Sequence, residues 1–173
     1  QSGIGISTDT DPLKAAAEAL RQAKTNLGPG TVDLAFVFSS VDFAHSTVLQ
    51  TINRSLEDTP IIGASTAAVI SPLGINKHGL AVLLLRLSEE IYFNAASIDG
   101  ANISSAALAG KELGEKLLYG TKDVCRDLAI IFSDGLSRDN ASLLLGLQEK
   151  LGRSFPLAGA CASDDLQFKK TYL

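Results

Sequence analysis

Two blocks of this chain occur twice, in the same order and at nearly the same spacing. "DLAFVFSS" at 33–40 returns as "DLAIIFSD" at 127–134, 94 residues later. Asp33, Leu34, Ala35, Phe38 and Ser39 meet identical residues in Asp127, Leu128, Ala129, Phe132 and Ser133. "PIIGAS" at 60–65 returns as "PLAGAC" at 156–161, 96 residues later. Matched blocks in a fixed order are the signature of an internal duplication. The two-residue difference falls in the helix or loops between the blocks. The expected division is a first α/β repeat over 1–98 and a second over 99–173.

The elements between the blocks repeat as well. In "DPLKAAAEALRQAKTNLG", Leu13, Ala16, Ala17, Leu20, Ala23 and Leu27 recur at helical spacing, with Asp11 as N-cap, Pro12 at the first helical position and Gly28 as the stop. The counterpart places Ile103, Ala106, Ala107, Gly110, Leu113 and Leu117 on one face and ends at Gly120. The apolar runs Leu34–Phe38 and Leu128–Phe132 fit strands buried on both faces. Second helices follow through Val48, Leu49, Ile52 and Leu56, and through Leu143, Leu144, Leu147 and Leu151. Pro60 and Pro156 then open short strands. Strands alternating with helices predict parallel crossovers. In the first copy, "GLAVLLLRLSEEIYFNAASI" reads as an antiparallel hairpin parted at Ser88-Glu89. The fold class expected is an internally duplicated α/β layered domain with a mixed sheet. The second copy is expected to be truncated, because the chain reaches "QFKKTYL" before a similar continuation.

Composition narrows the partners. The 173 residues suffice for one domain or two small ones sharing a core, and a 46% hydrophobic content supports a packed interior. A net charge of −4 without any Lys/Arg block argues against nucleic acid or an anionic membrane as partner. No apolar run approaches the roughly 20 residues of a membrane-spanning helix, and no signal peptide is visible at Gln1-Ser2-Gly3. Cys125 and Cys161 make no disulfide framework, and a cytoplasmic location is expected. Neither a methionine nor an initiator is present, as in a processed or excised piece.

The "PIIGASTAAVI" stretch invites several chemistries. As a phosphate loop it lacks the lysine that would meet β/γ-phosphates, and "GIGIST" near the N-terminus lacks the third glycine of a dinucleotide fingerprint. As a nucleophile elbow around Ser65 it has Ala67 where a glycine belongs. Cys161, the counterpart of Ser65, gives an alternative reading as a small hydrolase or transferase using Cys161 or Ser65. A nucleophile needs an oriented base, and no sequence logic ties His45 or His78 to either residue. The expectation is no catalytic residue and no cofactor. No metal is expected either: the cysteines and histidines lack zinc spacing, and Asp164-Asp165 reads as a solvated turn.

That leaves the carboxyl ends of the strands, where α/β sheets bind ligands. They carry Ser39-Ser40, Ser65-Thr66, Ser133-Asp134 and Ala162-Ser163-Asp164. Turn and cap chemistry explains each one singly, while the pairing by repetition favours a shared site. Asp134 and Asp164 are the acidic departures from Ser40 and Ala68, suited to a cationic group such as an α-amine. The candidate ligand-binding residues are Ser65, Thr66, Ser133, Asp134, Ser163, Asp164 and Asp165.

"PIIGASTAAVIS", "LAIIFSDGLSRDN" and "PLAGACASDDLQFKKTYL" together resemble the N-terminal part of a FIST domain, over about residue 30 to the C-terminus and most specifically at 127–173. Ala68 and Ala160 stand where that pattern has glycines. The resemblance implies a sensory, ligand-binding module of intracellular signal transduction. Its ligand would be small and polar, amino acids among the candidates, and its partners a C-terminal FIST half or a signalling output domain.

Overall fold

In a computed structural model the described residues are 1–71, 74–99, 104–119, 121 and 125–173. They form an α/β structure with parallel and antiparallel pairing. The chain divides into two compact units, one of 1–88, 134–136 and 161–173, the other of 89–133 and 137–160. The repeats expected at 1–98 and 99–173 would divide the sequence, whereas these units divide the chain by contact.

The first unit is built on β1 (Ser2–Ser7), α1 (Pro12–Leu27), β2 (Leu34–Ser40), α2 (His45–Leu56), β3 (Ile61–Thr66) and β6 (Leu80–Leu85), with a short hairpin of β4 (Val69–Ser71) and β5 (Gly74–Asn76). Its sheet has the order β1-β6-β2-β3. β2 and β3 run parallel, with Ser39 opposite Ser65 and Ser40 opposite Thr66. β6 lies antiparallel to both β1 and β2. β2 is buried at six of its seven positions, as its uninterrupted apolar run predicts.

α1 begins as expected: the Asp11 carboxylate accepts the amides of Leu13 and Lys14, Pro12 opens the helix, and Gly28 ends it. Such a cap contributes about 1 kcal/mol. The buried face is Ala15, Ala16, Ala19, Leu20, Ala23 and Leu27, while Leu13 is 54% exposed and Ala17 is exposed. The face is turned from the expected one because the alanines are drawn against β1. A Cβ on Gly5 would come 1.8 Å from the Ala19 carbonyl and one on Gly3 2.1 Å from that of Ala23. The glycines of "GIGIST" therefore let a helix lie on a strand. Glycine is depleted in strands, so the sequence pattern does not reveal that strand.

Val48, Ile52 and Leu56 of α2 join Leu80, Val82, Leu84, Ala35 and Val37 in one core. Each fully buried aliphatic side chain stabilises by about 1.5–3 kcal/mol. Leu49, expected on the same face, is 42% exposed.

The second unit contains α3 (Ala106–Leu118), β7 (Ala129–Ser133), α4 (Asn140–Leu151) and most of β8 (Leu157–Cys161). Ser105 and Asp139 cap the two helices. The helices approach through glycines: a Cβ on Gly110 or on Gly146 would lie 2.0 Å from the carbonyl of Leu143 or Ala107, respectively. Ala109, Gly110, Gly114, Gly146 and Leu147 are buried there. The expected residues Ile103 and Gly120 lie outside the described residues.

Two expectations are corrected. No hairpin follows Leu80–Leu85: residues 91–97 form no strand, and β6 takes its antiparallel partners from β1 and β2. The apolar pattern could not reveal that a distant strand competes for the same edge. The run 128–132 is not buried on both faces, since Leu128 and Ile130 are 55% and 53% exposed. Among the described residues β7 has only β8 as a strand partner.

Candidate functional site

The carboxyl ends of β2 and β3 lie side by side, and the first unit gathers most of the candidate residues there. Ser65 and Thr66 end β3, and Asp134, Ser163, Asp164 and Asp165 belong to the same compact unit. Ser133 falls in the other unit.

Ser65, only 2% exposed, is the hub. Its amide donates to the Tyr172 carbonyl at 2.9 Å, and its own carbonyl accepts the Ser163 amide at 2.8 Å. Its hydroxyl donates to the Ser163 carbonyl at 2.8 Å and accepts the Tyr172 amide at 3.0 Å. Every polar group of Ser65 is thus engaged with the segment 163–172. Its proton points at a carbonyl, which is not a base, and that weakens the reading of Ser65 as a nucleophile. Cys161 is exposed at the end of β8.

Asp164 shapes that segment. Its carboxylate is buried and accepts the amides of Lys169 at 2.6 Å and Lys170 at 3.2 Å. The backbone N–H groups, that of Lys169 foremost, hold the carboxyl below its ordinary pKa against the opposing effect of burial. Around it Asp165, Leu166 and Phe168 adopt left-handed φ angles of 53°, 61° and 52°. Asp165 is exposed, and its amide points to the Ser163 hydroxyl at 3.4 Å. Asp134, also exposed, accepts from the Leu136 amide at 2.8 Å and the Thr171 hydroxyl at 2.6 Å. The Thr66 hydroxyl donates to the Ala68 carbonyl at 2.8 Å. The neighbouring strand end is closed differently: Ser40, 2% exposed, donates to the Lys77 carbonyl and accepts the Gly79 amide, each at 2.8 Å.

Three residues outside the expected set complete the locale. The rings of His45 and Tyr172 stack with centroids 4.0 Å apart and planes 12° from parallel. Lys170 places its ammonium 4.7 Å from the centre of the Tyr172 ring. Burial lowers the His45 pKa. A second imidazole, His78, meets the Asp42 carboxylate through Nδ1 at 2.6 Å and the Asp9 carbonyl through Nε2 at 3.3 Å. Nothing local in the sequence signals the His45–Tyr172 stack, because its partners are far apart along the chain. Among the described residues no group of His, Cys, Asp and Glu is arranged to hold a metal ion.

These features define an α/β protein in which the polar end of β3 is engaged by residues 163–172. Residues 33–173 match the FIST N domain, so the chain belongs to the FIST N-domain family. FIST domains are in general sensory, ligand-binding modules. No curated protein matches the chain. No helix among the described residues is long and apolar enough to cross a membrane.

Proposed function

We propose that this chain is an intracellular sensory module that binds a small polar ligand, amino acids among the candidates, at the carboxyl ends of β2 and β3. The observation that carries the reading is the gathering of Ser65, Thr66, Asp134, Ser163, Asp164 and Asp165 in one compact unit, although they come from three separate stretches of sequence. Ser65 and Asp164 form the frame, since their polar groups are engaged with the chain itself. Thr66, Asp134, Ser163 and Asp165 supply hydroxyls and carboxylates suited to an amine-bearing ligand. Ser133, the counterpart of Ser39 in the sequence, belongs to the other unit and is left out of this site. Ligand contact would alter the hold of segment 163–172 on β3 and so inform a C-terminal FIST half or an output domain. Such coupling requires different affinities for the two states of that segment.

We also propose that the chain arose by internal duplication. Ala35 donates to the Pro60 carbonyl at 3.0 Å, and Ala129 to that of Pro156 at 3.1 Å. Gly63 sits against the Val37 carbonyl as Gly159 sits against that of Ile131. These matched contacts carry the 94- and 96-residue offsets of the sequence and support the reading.

The test is a thermal-shift screen of the chain against amino acids and other small polar metabolites, followed by amide shift mapping. A ligand at 100 times its Kd stabilises by about 2.7 kcal/mol. The reading predicts a stabiliser that moves the signals of Thr66, Asp134 and Asp165. It fails if no compound stabilises, or if every stabiliser leaves those signals in place.

A further inference from the structure

The His45–Tyr172 stack has a feature that ligand binding does not require. His45 Nε2 is buried and has no hydrogen-bond partner. The backbone of Phe43 favours the protonated ring, against the larger effect of burial. In the neutral ring with its proton on Nδ1, Nε2 is a bare acceptor without a partner. A proton placed there would be a buried donor, on a cation, without an acceptor, which is among the costlier arrangements in a protein.

We propose that His45 is a proton-sensitive fastener: the segment 163–172 is held on β3 while the imidazole is neutral and is released when His45 takes up a proton. The charges around the ring fit this role. Lys170, on the segment itself, opposes a second positive charge, while Asp42 in the β2–α2 loop favours one. Asp42 is already bonded to His78. His45 also opens α2, whose N-terminal partial charge is positive and lacks a side-chain cap. Burial is the largest influence and disfavours the cation. Lifting Tyr172 would free one face of the His45 ring and open the imidazole to solvent. The same movement breaks the bonds between Tyr172 and Ser65, so protonation at one residue is read out at the other.

The sign follows from linkage. A lowered pKa in the latched state means that above the ordinary histidine value both states are neutral and the latch is at full strength. As pH falls below about 6.5 the released state binds the proton first, and the latch weakens until the depressed value is passed. Within that window up to one proton is taken up per opening, so the protection factor of the Tyr172 amide falls, by no more than about tenfold per pH unit.

The experiment is hydrogen exchange of the Tyr172 amide in the whole chain at steps from pH 7.5 to 5, expressed as protection factors and repeated on His45→Phe, His45→Gln and His78→Gln. The expected result is a falling protection factor in the unmodified chain and in His78→Gln, with a flat one in a folded His45→Phe or His45→Gln. A flat profile in the unmodified chain overturns the proposal. So does a fall that survives both His45 replacements. No ligand enters the measurement, so its outcome is independent of the sensory reading.

Discussion

Ser65 and Tyr172 are bonded to each other twice, amide to carbonyl at 2.9 Å in one direction and amide to hydroxyl at 3.0 Å in the other. The end of β3 is thereby closed by a segment more than a hundred residues further along the chain.

Removing the hydroxyl tests how much that closure contributes. In Ser65→Ala the Ser163 carbonyl loses a donor and the Tyr172 amide loses an acceptor at a buried position. The expected cost is about 1–3 kcal/mol. Urea denaturation should show a lower midpoint with an unchanged slope, and the Tyr172 amide should exchange faster at every pH.

Asp164 makes the segment sensitive to stronger acid. Its depressed pKa means that its contribution is present above the ordinary aspartate value, about 3.9, and is lost as pH falls through the lower folded value. Amide exchange at Lys169 and Lys170 should therefore accelerate in strong acid, well below the range in which His45 acts. Asp164→Asn should show the accelerated exchange already at neutral pH, with its acid dependence removed.

The α3–α4 contact depends on absent side chains. Gly146→Ala gains about 1 kcal/mol of helix propensity but drives a methyl into the Ala107 carbonyl. Overpacking of this kind costs about 1–3 kcal/mol, so the net effect is destabilising. Thermal unfolding followed by helical circular dichroism measures it.

Within α4 two neighbouring leucines should behave oppositely. Leu147 is fully buried and Leu145 is 62% exposed. Leu147→Ala is expected to cost about 2–5 kcal/mol. Leu145→Ala should stay within about 0.5 kcal/mol of the parent. Equal effects in chemical denaturation would contradict the burial pattern.

The readable parts of the fold are those governed by near neighbours. Asp11, Pro12 and Gly28 bracket α1 as their cap chemistry dictates. The apolar run of β2 is buried, and Pro60 and Pro156 each precede a strand. β1 was not legible, because its glycines serve the helix lying upon it rather than strand propensity. The hairpin expected after β6 does not form for a related reason, since β1 and β2 hold that strand's edges.

The sequence by itself determined the alternation of strands and helices, the repeated blocks and the family, because these depend on local spacing and residue type. It also marked Ser65, Thr66, Ser163 and Asp164 as polar residues at strand ends. Only the tertiary structure decided what those groups do. Ser65 is engaged on both its backbone and its hydroxyl, Asp164 is turned inward onto backbone amides, and His45, which no motif singled out, lies beneath Tyr172. Hydrogen bonds and ring stacking act over a few ångströms in space and carry no trace of the chain length between their partners, so this arrangement exists only once the chain has folded.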